Sequence, residues 1–215
     1  WCDDFHHALH ALLTGETFGY YADFGLVCHL AKSLHEGYVL TGEFSSYRGR
    51  RHGESARDRS ASQFVVFTQN HDQTGNRMLG ERLSALVPLG ALKLAAGIMI
   101  CSPYIPMLFM GEEYGETAPF QYFVSHSDPE LAEAVSRGRR NEFPASADEA
   151  EFPDPQSVST FNRSRLQWES RTRGQHKKLL DAYRSLLQLR AENPFLSKTD
   201  NCSLWTRPYE DQKIL

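Results

Sequence analysis

The sequence predicts an α/β fold built on parallel strands, and three observations carry that reading. Residues 64–67 (FVVF) and 104–110 (YIPMLFM) are short apolar runs, as expected of strands covered on both faces. The stretch between them has helical character, and a parallel pair needs a crossover of about a dozen residues or more, usually a helix. Each run ends on polar residues, Asn70-His71-Asp72-Gln73 after the first and Gly111-Glu112-Glu113 after the second. In α/β barrels the C-terminal ends of the strands are where active sites are built.

The remaining elements follow in order. In residues 4–13, Phe5, Ala8, Leu9, Leu12 and Leu13 make one apolar helical face, and Gly15 closes it. Asp23 reads as the N-cap of a second helix. There Leu26, Val27, Leu30 and Leu34 recur at helical intervals, and Gly37 sits where a C-cap belongs. A loop rich in Arg, Ser and Gly fills most of residues 43–63. Residues 76–101 predict one or two helices, broken near Pro88-Leu89-Gly90. After the second strand, "SDPELAEAVSRGRR" predicts a short helix with Pro129 at its first position. Residues 144–157 read as an acidic, proline-containing loop. "GQHKKLLDAYRSLLQLRAENP" reads as an amphipathic helix stopped by Pro194, and "SLWTRP" and "KIL" look like the first strands of another unit.

Composition narrows the function classes. The 215 residues, 40% of them hydrophobic, suffice for a sizeable core in one or two domains. A formal net charge of -4 gives no basic excess that would point to nucleic acid or a membrane surface. The longest apolar stretch, residues 92–110, is interrupted by Lys93, Ser102, Pro103 and Pro106. Spanning a bilayer takes about 20 apolar residues, and Pro103 ends any helix there. A buried helix followed by a buried strand is expected instead. Cys2, Cys28, Cys101 and Cys202 form no C-x-x-C pair and fit reduced thiols of a cytoplasmic protein. The chain opens on Trp1 without a signal-peptide pattern and closes inside the run Lys213-Ile214-Leu215, as expected of an internal piece of a longer chain.

Four groups of residues invite chemistry. His71 and Asp72, at a strand's C-terminal end, suit sugar binding. A carboxylate accepts two hydroxyl hydrogen bonds and stabilises positive charge on a sugar ring. The alternative is that Asp72 caps the following helix while His71 packs. His6 and His10 are four apart, hence neighbours on a helix, at metal-ligand spacing. The glutamate of H-E-x-x-H is missing, however, because Ala8 and Leu9 fill the middle. A polar pocket wall or a surface helix end is the preferred reading, with no metal. Five arginines fall between Arg48 and Arg59, interspersed with Glu54 and Asp58. Tyr47 is the one aromatic there for stacking, so a solvated or substrate-facing loop is preferred to a nucleic-acid surface. Glu112 and Glu113 are consecutive and should point apart, which argues against a catalytic carboxylate pair.

"FVVFTQNHDQTGNR" resembles the last catalytic motif of the α-amylase-type glycoside hydrolases, and "YIPMLFMGEEYGE" resembles the strand-eight motif of the same barrel. Three further segments occur in order with them: "DDFHHALHALLTGETFGYYADFG", "FSSYRGRRHG" and "YFVSHSDPELAEAVSRGRRNEF". The set is similar to the malto-oligosyltrehalose trehalohydrolase family, from Trp1 to about Pro194. The resemblance implies the C-terminal portion of a (β/α)8 barrel (strands 7 and 8 with their helices, residues 1–195), leading into a small all-β C-terminal domain from residue 196. It implies cleavage of the α-1,4 bond next to the terminal trehalose of malto-oligosyltrehalose, with no cofactor, nucleic acid or membrane partner.

The family uses three carboxylates. Asp72 matches the third, which stabilises the transition state, and His71 matches its substrate-binding neighbour. The nucleophile Asp and the acid/base Glu match no segment here. Gln73 joins the substrate-binding set. Tyr21, Arg50 and Arg51 are candidates for trehalose recognition, and Asp4 and His7 for the pocket wall. A glycogen branching or debranching enzyme shares the barrel motifs, but "DDFHHALHALLTGE" argues against it. A non-catalytic module is the reading of another class, because two barrel strands cannot close a barrel.

Overall fold

The computed structural model describes residues 1–143, 152–197 and 204–215. Helix α1 (Asp3–Thr14) forms where the periodicity places it and buries Phe5, Ala8, Leu9 and Ala11. Gly15, left-handed at φ 77°, ends it by returning its N–H to Ala11 O at 3.0 Å. Helix α2 (Val27–Glu36) packs on α1 and buries Val27, Leu30, Ala31 and Leu34. Gly37 closes α2 at φ 80°, and a Cβ there would stand 2.6 Å from the Phe64 ring, so only glycine fits.

The cap of α2 departs from the sequence expectation. Asp23 lies before the helix, and its carboxylate accepts the Ser46 N–H at 2.6 Å and the Ser45 hydroxyl. Glu210 takes the helix N-terminus instead. Val27 N donates to its Oε2 at 2.9 Å and Cys28 N to its Oε1 at 2.6 Å. A carboxylate suits the positive end of a helix dipole. Burial pushes the Glu210 pKa up, but these N–H groups outweigh it and the net shift is downward.

The Arg-rich loop carries an antiparallel pair, β1 (Phe44–Ser45) and β2 (Arg50–Arg51). The two predicted core strands, β3 (Val65–Val66) and β4 (Ile105–Pro106), pair in parallel with Val65 beside Ile105. Ile105 N and Met107 N donate to Phe64 O and Val66 O. The intervening Val65 O faces the other way and accepts Cys2 N at 2.9 Å, so backbone lies along both edges of β3. The crossover holds α3 (His71–Gly75), α4 (Leu83–Leu86) and α5 (Leu89–Ile100), with the break at Pro88 as predicted.

Helix α6 (Pro129–Asn141) starts on Asp128, whose side chain accepts Glu130 N and Leu131 N, with Pro129 in the first turn. Then come α7 (Val158–Arg163), the long α8 (Gly174–Glu192) and the short α9 (Pro194–Ser197). Arg190 of α8 donates to Ile100 O, Ser102 O and Tyr104 O at 2.5–2.7 Å, binding the α5–β4 turn. In place of the expected strands near the C-terminus, described residues 204–215 contain one antiparallel bridge, Tyr209 to Ile214. Residues 144–151 of the acidic loop, with Cys202 and Ser203, lie outside the described residues. Cys2, Cys28 and Cys101 are free thiols. No helix among the described residues is long and apolar enough to cross a membrane.

The chain divides into two units. The first comprises Trp1–Thr68, Val87–Leu108 and Leu179–Leu215. Its core includes Phe5, Phe67, Met99, Ile100, Tyr104 and Leu179, all fully buried. The second comprises Gln69–Leu86 and Phe109–Lys178. There Arg82 is fully buried, its cation 4.9 Å from the Phe109 ring centroid, and donates to Met110 O and Ala118 O, both at 2.8 Å.

Candidate active site

The residues after β3 bear on one of the two sequence readings of Asp72, the helix cap. Asn70 is the cap of α3. Its Oδ1 accepts Asp72 N at 2.8 Å and Gln73 N at 3.3 Å. The Asp72 carboxylate is therefore not spent on the helix N-terminus. It lies exposed, with Oδ1 3.1 Å from His71 Nε2, and each side chain is more than half accessible. His71 is thus not packed in the core either. An exposed pair of this kind adds little stability. Gln73 is buried, and its backbone N–H belongs to the same cap.

The turn after β4 holds carboxylates of a different character. Glu112 is buried in a short 3-10 turn and Glu113 is half-buried, so the two diverge as expected. Glu116, 1% exposed, was missed by sequence reasoning. Its Oε1 accepts Thr117 N and Ala118 N at 2.8 Å, and its Oε2 accepts the Tyr114 hydroxyl at 2.8 Å and Gln167 N at 2.6 Å. Burial raises the Glu116 pKa. The N–H groups of Ala118 and Gln167, the Tyr114 hydroxyl and the Thr117 N–H outweigh it, and the net shift is downward. Glu116 follows the conspicuous Glu112-Glu113 pair by three residues, and only its donors reveal it.

The other predicted residues belong to the first unit. Asp4 Oδ2 accepts Val39 N and Leu40 N at 2.9 and 2.8 Å, fastening the segment after α2. His7 lies among Tyr20, Tyr21 and Phe24, with ring centroids 5.1–5.3 Å away. Burial, helped by His10 and Arg48, lowers its pKa to about 4, so the ring is neutral at pH 7. Tyr21 is buried and stacks on His10 at 4.5 Å, with its hydroxyl 2.9 Å from His6 Nε2. The more accessible aromatic faces nearby are those of Tyr20 and Tyr47, which meet edge to face. Arg50 and Arg51 are exposed on β2, and Arg51 donates to Gly42 O at 2.8 Å.

His6 and His10 are inside, which removes the surface-helix-end reading. His6 Nδ1–H donates to Thr68 O at 2.7 Å, and Nε2 lies 2.9 Å from the Tyr21 hydroxyl. His10 Nε2 lies 2.9 Å from Glu16. Among the described residues, no group of three His, Cys, Asp or Glu side chains is placed to hold a metal ion.

No protein-family model matches the chain. Curated proteins do. A malto-oligosyltrehalose trehalohydrolase of Rhizobium sp. (strain M-11) is 49% identical over 201 residues, covering 92% of this chain and 34% of the relative. The chain is a relative of the malto-oligosyltrehalose trehalohydrolases. The protein of that name from Saccharolobus solfataricus is 48% identical over 192 residues, and that from Deinococcus radiodurans is 41% identical over 213. The chain spans about a third of the length of these trehalohydrolases. A crystal structure described as "Putative alpha Amylase from Salmonella typhimurium" matches at a TM-score of 0.84 and 41% identity, covering 97% of this chain and 36% of the other. An α/β glycoside hydrolase fold accords with that likeness.

Proposed function

We propose that this chain is part of a trehalose-releasing glycoside hydrolase that cleaves the α-1,4-glucosidic bond beside the terminal trehalose of malto-oligosyltrehalose. The observation that carries the reading is the 41–49% identity, over about nine-tenths of the chain, to relatives that share one name. In this reading residues 1–195 are the C-terminal part of a (β/α)8 barrel, with β3 and β4 as its strands 7 and 8. Residues from 196 open a small β domain. The protein acts in the cytoplasm, consistent with the free thiols of Cys2, Cys28 and Cys101.

Asp72 stabilises the transition state. Its carboxylate, open to a ligand and next to His71, accepts hydroxyls of the sugar at the cleavage point. Those bonds tighten as the ring flattens toward an oxocarbenium ion, which favours the transition state over bound substrate. His71 and Gln73 support the same sugar. The exposed guanidinium groups of Arg50 and Arg51 suit the hydroxyls of trehalose. Because Tyr21 is buried, stacking falls to its neighbours Tyr20 and Tyr47, while His7 and Asp4 serve as supporting wall. The nucleophile and the acid/base come from the rest of the enzyme.

Incubating the complete enzyme with maltopentaosyl-trehalose tests the reading, with trehalose as the expected product. Maltose or branched glucan alone would refute it. The 215-residue chain by itself is expected to be inactive and poorly soluble. A monodisperse, sugar-cleaving preparation of it would contradict the assignment of the missing carboxylates.

A further inference from the structure

We propose that Arg139 is a positioning residue for Asp72; this rests on the reading of Asp72 as the transition-state carboxylate. Asp72 sits in α3, which is only five residues long. So short a helix does not hold its own geometry in water, since nucleation is costly and few bonds repay it. Its direction is set by what grips its two ends. At the front, Asn70 Oδ1 takes the N–H groups of Asp72 and Gln73. At the back, Arg139 Nη2 donates to Gly75 O at 2.6 Å and to Arg77 O at 3.2 Å.

Arg139 is itself held firmly. It is 7% exposed, lies on α6, and its cation sits 4.7 Å from the Phe143 ring centroid and 5.2 Å from that of Tyr122. Its Nη1 pairs with Glu142. A planar, multiply donating guanidinium close to two rings can grip two carbonyls at once, and an ammonium cannot copy that geometry. Helix α6, more than 60 residues further along the chain, is thereby coupled to the turn that aims the carboxylate. A displacement of about 1 Å at a reacting group can cost about a hundredfold in rate.

The test uses the complete enzyme with malto-oligosyltrehalose and four variants: Arg139→Met, Arg139→Lys, Asp72→Asn and the double variant Asp72→Asn with Arg139→Met. Methionine keeps the aliphatic packing and removes the donors. We expect Arg139→Met to lower kcat by ~10- to 100-fold with KM changed less than about threefold. Arg139→Lys should fall between it and the parent. In the Asp72→Asn background, Arg139→Met should change the residual kcat little, because its effect passes through Asp72. Equal losses in both backgrounds, the mark of a generally loosened fold, would overturn the proposal. So would an unchanged kcat in Arg139→Met beside a large loss in Asp72→Asn, which leaves the function reading intact. Full activity of Asp72→Asn would remove both.

Discussion

The turns that follow the two parallel strands hold two carboxylates used in opposite ways. After β3, Asp72 is exposed and leaves the backbone N–H groups of its turn to Asn70. After β4, Glu116 is buried and accepts three backbone N–H groups and a phenol. A carboxylate whose lone pairs are filled by the protein is scaffold, because burial without those donors would be very costly. One left exposed beside a histidine at a strand's end keeps acceptor capacity to spare, as the role proposed for Asp72 requires. Saturation of the acceptor thus separates the two roles better than the presence of an acidic residue.

The largest effect expected from this contrast is on rate. Asp72→Asn should lower kcat of the complete enzyme by ~100- to 1000-fold and leave the melting temperature nearly unchanged, as steady-state kinetics and thermal melts would show. A variant that kept its rate and lost stability would invert the contrast. Glu116→Ala should do the reverse. It leaves several buried donors without an acceptor and should destabilise by about 3 kcal/mol, read from the denaturant midpoint, with kcat per folded molecule little altered.

A smaller effect appears on acidification. The Glu116 pKa is depressed below its ordinary 4.5 in the fold, so its contribution is present above that pH and is lost as pH falls toward the folded value. Glu116→Gln should flatten this limb in melting curves taken against pH. His7 acts in a higher window. It stays neutral in the fold down to about 4, whereas the unfolded chain takes up the proton below 6.5, so stability falls as pH drops between those values. His7→Gln should remove that slope. The smallest effect is at the cap of α3, where Asn70→Ala should cost about 1 kcal/mol in chemical denaturation.

What the sequence made legible follows the range of the interactions concerned. Helices α1, α6 and α8 and the parallel β3–β4 pair rest on local periodicity and on short apolar runs, and they are where those patterns place them. The Asp128 cap with Pro129 is equally local. Asp23 failed as a cap because the α2 N-terminus is served by Glu210, which no local rule can see. In the candidate site, Asp72 was legible as a candidate, but its alternative role as a cap needed the helix to begin two residues later than it does. Tyr21 was picked for its ring, and nothing in its neighbourhood told that Tyr20 and Tyr47 would be more exposed while it stacked inside on His10. Glu116 and Arg139 owe their importance to partners that the fold supplies.

The carboxylate of Glu210 lies 183 residues after the N–H group of Val27 that it receives. At ribosomal rates of roughly 5–20 residues per second, roughly 10–40 s pass between the synthesis of the helix and that of its cap. During that interval the first turn of α2 lacks its native acceptor. A nascent chain stalled before Glu210 should carry a frayed α2, which closes only once Glu210 has left the ribosome.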